Sequence, residues 1–125
     1  MKFINTEKAP VALGPYSQAI QVDKLVFLSG QLGIDPQTHR FGLGVEEQTL
    51  WALENLGHVL FSVGLDKTDV AKCTIFVKNM DDFAAINQVY ERFFATHKPA
   101  RVCVEVSRLP KDGLVEIDAI ARIRG

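Results

Sequence analysis

Four consecutive apolar residues, Leu25-Val26-Phe27-Leu28, leave a strand without a polar face. Side chains alternate across a strand, so both sides of such a run need cover. The rest of the chain offers only two helical patterns to provide it. In Glu46 to Val63, the residues Leu53, Leu56, Leu60 and Val63 recur at three- and four-residue spacing, on one helical face. Glu46 and Glu47 fall in the first turn, where the helix dipole favours acids. Gly64 stands where a left-handed C-terminal cap is wanted. Gly57, inside the helix, costs about 1 kcal/mol relative to alanine and predicts a close approach by another element there. Asp81 reads as the N-cap of a second helix over Asp82 to Thr96, with Ile86, Val89, Tyr90, Phe93 and Phe94 as its apolar stripe.

Around these helices the pattern has period two. Gln21 to Gln31 reads as a strand pair or a bent strand. Val70 to Lys78 alternates, with Ala71, Cys73, Ile75 and Val77 pointing one way. Arg101 to Ser107 and Leu114 to Ile123 alternate as well, with Pro110, Asp112 and Gly113 turning the chain between them. The prediction is a single α+β domain over residues 1–125, a mixed sheet with two helices on one face. The valines of Arg101–Ser107 are expected to face the helices. The other face would then carry Arg101, Cys103, Glu105, Glu116 and Asp118. A face that is charged in places and, at Leu25–Leu28, apolar in others predicts a subunit interface containing a pocket.

Composition removes several classes. With 14 basic and 15 acidic side chains the net charge is −1, so no cationic excess serves a phosphate backbone, and nucleic-acid binding is not expected. No segment has the length of a signal peptide's apolar run or of a membrane span, which predicts a cytoplasmic protein. Cys73 and Cys103 read as free thiols. His39, His58 and His97 lack ligand spacing, so no metal site is expected. Gly42-Leu43-Gly44 does not lead from a strand into a helix as a phosphate loop would.

On pattern alone the candidate residues keep plain structural readings. Arg101 could be a surface arginine paired with Glu105, Glu116 a solvated strand residue, and Cys103 a small core residue. Tyr16 and Asn87 alone are uninformative, and Phe83, Phe93 and Phe94 read as core.

Longer blocks say more. Ala9-Pro10 with Gly14-Pro15-Tyr16-Ser17-Gln18-Ala19, then Ser29-Gly30-Gln31, then Val77-Lys78 with Asp82-Phe83-Ala84, Asn87, Tyr90 and Phe93-Phe94 resemble, in order and spacing, the RidA/YjgF family. So do Pro99-Ala100-Arg101, Cys103-Val104-Glu105-Val106, and Leu109-Pro110-Lys111-Asp112 through Glu116-Ile117-Asp118-Ala119. The resemblance implies a chorismate-mutase-like fold and a homotrimer with sites between subunits, using neither metal nor organic cofactor. The activity it implies is hydrolysis of reactive 2-imino acids, such as 2-iminopropanoate and 2-iminobutanoate, to 2-keto acids and ammonia. It also implies that Arg101 grips the substrate carboxylate and that Glu116 works with a bound water. Tyr16, Ser29, Gly30, Asn87, Val102 and Cys103 would line the pocket, Cys103 largely through its main chain. Lys98 and Val102 depart from the residue types common at these positions, which bears on substrate preference. A trimer that binds small carboxylates without turnover, or an RNA-cleaving translation inhibitor, are the alternatives on the same fold.

The chemistry suits these groups. A guanidinium holds a carboxylate through two parallel hydrogen bonds, which lysine cannot do. With the carboxylate fixed, the imine carbon has a fixed place. A carboxyl group whose pKa burial lifts toward neutrality can pass a proton between attacking water and departing nitrogen.

Overall fold

A computed structural model describes residues 1–125. The elements are β1 (Lys2–Ile4), β2 (Ala19–Val22), β3 (Leu25–Leu32), α1 (Gly44–Phe61), β4 (Val70–Val77), α2 (Phe83–Phe94), β5 (Ala100–Glu105) and β6 (Val115–Arg122). They form one six-stranded sheet in the order β1-β2-β3-β6-β4-β5. Only β4 and β5 run parallel, since α2 crosses between them; all other neighbours are antiparallel. Both helices lie on one face. Ala52, Leu53, Leu56, Val59 and Leu60 of α1 and Ile86, Val89, Tyr90 and Phe94 of α2 share a core with Val26, Leu28, Cys73, Ile75, Val77, Ile117 and Ala119. This is the mixed α+β layer the patterning predicts.

Several local expectations change. Gly64 does take a left-handed conformation, with φ of 78°, and the Leu65 N–H donates to Leu60 O beyond it. A Cβ at Gly57, however, would come no nearer than 3.9 Å to Phe93, so no close approach requires the glycine. Asp81 is not the N-cap. Asn79 accepts from the Asp81 N–H, opening a 3₁₀ turn over Met80–Asp82 that leads into α2. Ala71 is exposed rather than in the core, because a bulge between Val70 and Lys72 moves one residue out of register. Gly42-Leu43-Gly44 does lead into a helix, but the Glu47 carboxylate accepts from the Leu43 N–H at 2.5 Å, so the chain's own acid occupies that end of α1.

The largest correction concerns β5. Its register places Arg101, Cys103 and Glu105 beside Cys73, Ile75 and Val77. Residues directly opposite across a ladder share a face, so these three look toward the helices. Val102 and Val104 lie beside Thr74 and Phe76 on the uncovered face, 45% and 38% exposed. The reversal has a physical cause: β5 is an edge strand, beyond the centre of the helical cover. There α2 presents Phe83, Asn87 and Tyr90 rather than its aliphatic stripe, an environment an arginine can share. In β6 the expected orientation holds: Val115, Ile117 and Ala119 are buried in the core, and Glu116 and Asp118 occupy the uncovered face. Leu25 and Phe27, each 43% exposed, join that face.

Candidate functional site

Around Glu116 the chain is shaped by three devices. A β-bulge in β3 comes between the pairs Leu28–Ala119 and Gln31–Ile117, and Ser29 and Gly30 are the residues inside it. The bulge breaks the alternation next to β6. Ser29 is held there, its Oγ donating to Ser17 O at 2.7 Å and its N–H to Gln18 O at 2.9 Å. Gly30 lies under the Glu116 side chain, and a Cβ on it would fall 2.5 Å from Glu116 Oε1. The wall opposite is the segment from Pro10 to Tyr16. The buried Gln18 amide secures its start, donating to Thr6 O and Pro10 O and accepting from the Thr6 N–H. Tyr16 Oη accepts from the Leu13 N–H at 3.2 Å. The result is a cavity of about 230 Å³ lined by Tyr16, Gly30, Glu116, Leu13, Pro110 and their neighbours. Burial, with the nearby Asp118 charge adding to it, raises the Glu116 carboxyl above its ordinary range.

Arg101 and Asn87 belong to a different cavity, about 340 Å³, which they line with Tyr90, His97, Lys98 and Pro99. Arg101 Nη1 donates to Asn87 Oδ1 at 2.7 Å. The surface pairing with Glu105 is not made; Glu105 accepts instead from the Met80 N–H. With one of its five N–H groups engaged by Asn87, the guanidinium has donors left for a carboxylate. Cys103 is partly buried on the same face, and that burial raises its thiol pKa, against the pull of Arg101. A raised thiol is a poor nucleophile at neutral pH.

The predicted residues thus separate into two groups within one chain. Tyr16, Ser29, Gly30 and Glu116 gather at the bulge; Asn87, Arg101 and Cys103 gather under α2; Val102 points to the uncovered face. Arg101 and Glu116 do not meet, because they leave the sheet on opposite sides. Sequence reasoning also missed Phe83. It is not core: it is 36% exposed, with its ring centroid 5.5 Å from the Arg101 Cζ. The signal was present in its spacing of four residues from Asn87 and seven from Tyr90.

The α+β chain thus carries a partly buried arginine and a raised carboxyl in two separate cavities on opposite faces of one sheet. The chain belongs to the Endoribonuclease L-PSP family, whose family model matches residues 6–123; this is the RidA/YjgF family that the sequence blocks resemble. A RutC family protein of Pyrococcus abyssi is 50% identical over 119 residues, 94% of either chain. The 2-iminobutanoate/2-iminopropanoate deaminase of Salmonella typhimurium is 46% identical over 123 residues, 96% of either chain. The crystal structure of E. coli TdcF with bound serine is similar at a TM-score of 0.95 and 43% identity, covering 100% of both chains.

Proposed function

We propose that this protein hydrolyses reactive 2-imino acids to 2-keto acids and ammonia, at sites completed between neighbouring subunits of a homotrimer. The observation that carries the reading is the separation of Arg101 from Glu116: each lines a half-cavity that lacks the other's chemistry, and one chain cannot unite them. A second copy can, if its uncovered face meets the edge carrying β5. The exposed Leu25, Phe27, Val102 and Val104 give that face a reason to be covered. Similarity to deaminases that act on 2-iminobutanoate and 2-iminopropanoate, and to TdcF with its bound serine, supports a small amino- or imino-carboxylate as ligand.

In the assembled site Arg101 binds the carboxylate through its free N–H groups. The imine carbon then lies before Glu116, whose raised pKa makes it a better proton acceptor than an ordinary carboxylate. Water adds to the carbon and one of its protons passes through Glu116 to the nitrogen; the hydroxyl proton of the resulting carbinolamine then follows by the same carboxyl, and ammonia leaves as the C=O bond forms. Such imines hydrolyse unaided, so positioning and one proton shuttle suffice. The test is complementation. Arg101→Ala and Glu116→Gln chains, each inactive alone, are unfolded and reassembled together, and imine loss is followed downstream of a pyridoxal-phosphate-dependent dehydratase acting on threonine. Random mixing leaves about one interface in four with both groups intact, so roughly a quarter of wild-type activity returns. No recovery on mixing would place the two groups in separate functions.

A further inference from the structure

Phe83, Asn87 and Tyr90 are four and three residues apart, and so lie on one face of α2. All three meet Arg101. Its Cζ lies 5.5 Å from the Phe83 ring centroid and 5.0 Å from that of Tyr90, while Nη1 is bonded to Asn87 Oδ1 at 2.7 Å. Both rings are within cation–π range. Phe83 opens α2 and is 36% exposed, so its ring does little for the core. The Tyr90 ring is buried, packed 4.7 Å from that of Phe94, and its hydroxyl has no hydrogen-bond partner.

We propose that Phe83 and Tyr90 are positioning residues: their rings hold the Arg101 guanidinium in one plane, and so set the orientation of the carboxylate that the site accepts. This rests on the reading of Arg101 as the carboxylate clamp. Bidentate binding demands one guanidinium plane, and a free arginine loses side-chain entropy in adopting it. Asn87 limits rotation about the last bonds through a directed hydrogen bond, and the rings limit tilt. The fork is then in place before substrate arrives, and binding does not have to order it.

The test uses the full-length protein as it assembles. Relaxation of the side-chain Nε–H is measured by NMR for Arg101 and, as an internal reference, for the exposed Arg40. The dissociation constant for 2-ketobutanoate and the melting temperature are recorded alongside. Wild-type Arg101 is expected to be more ordered than Arg40. In Phe83→Leu the order falls toward that of Arg40 and the dissociation constant rises about 3- to 10-fold, while the melting temperature stays within a degree or two. Phe83→Tyr restores order and affinity, and Tyr90→Phe, which keeps the ring, preserves both. Arg101 as mobile as Arg40 in the wild type, or unchanged order or affinity in Phe83→Leu, overturns the proposal. Failure of the wild type to hydrolyse imines would count against the deaminase reading instead, because order and affinity are measured without turnover.

Discussion

Gly30 lacks a side chain at the place where the Glu116 carboxyl rests: a Cβ there would lie 2.5 Å from Oε1 and 2.9 Å from the carboxyl carbon. Gly30 is intermediate in exposure and its φ is not in the left-handed region, so the glycine serves neither a turn nor backbone strain. It makes room for one acid.

Gly30→Ala is therefore expected to fold and assemble but to displace Glu116. Because the obstructing atoms end a flexible side chain, the change in melting temperature should be small. A shift of about 1 Å in a reacting group costs on the order of 10²-fold in rate. A kcat within twofold of wild type in the coupled imine assay would mean that the carboxyl position is unimportant.

Glu116→Gln is expected to lower kcat by about 10²–10⁴, the usual worth of general acid–base help, while 2-ketobutanoate still binds. The same change should stabilise the fold. The folded pKa lies above the unfolded value of about 4.3, so the native state holds this proton more tightly than the unfolded chain. Its contribution to stability therefore declines as pH rises from the unfolded value through the folded one, and stays low above. The variant should melt higher than wild type at pH 7 and lose that advantage by about pH 4. Equal melting curves across this range would contradict the assigned burial.

Arg101→Lys keeps the charge and loses the fork. Losing one partner of a hydrogen-bonded charge pair costs about 2–5 kcal/mol, so apparent KM should rise strongly or activity vanish with the fold intact. Wild-type kinetics in this variant would remove Arg101 as the clamp.

How much of this was legible in the sequence depended on neighbours. The core faces of α1, α2 and β6 were readable because each packs against a continuous layer, and there periodicity reports burial directly. The orientation of β5 was not, since alternation says which residues share a face but not which face is covered. Only pairing with β4, at the rim, decides that Arg101 looks toward α2. The bulge at Ser29–Gly30 left one mark, a glycine inside a strand pattern, but the apolar run before it has no alternation against which an inserted residue would show. Asp81 passes for the cap in the sequence because a 3₁₀ turn, which periodicity does not reveal, precedes α2 and puts the capping side chain at Asn79, two residues upstream.

Assembly is open to a direct test. The wild type is expected to sediment as a trimer at micromolar concentration. Val104→Asp, which puts a charge on the uncovered face without touching Arg101 or Glu116, should yield monomers with native circular dichroism and no deaminase activity. A wild-type monomer at that concentration would refute the shared site.

The sheet between Arg101 and Glu116 also acts as an insulator. Opposite charges that fold within reach of one another form an ion pair, which would depress the carboxyl's pKa and occupy the guanidinium. A newly folded subunit cannot fall into that state, because a layer of backbone separates its own acid from its own base. In the proposed trimer, association then has no internal salt bridge to break. Each group stays partly hydrated in the lone subunit, and its remaining desolvation belongs to the proposed step at which a neighbour closes a cavity over it.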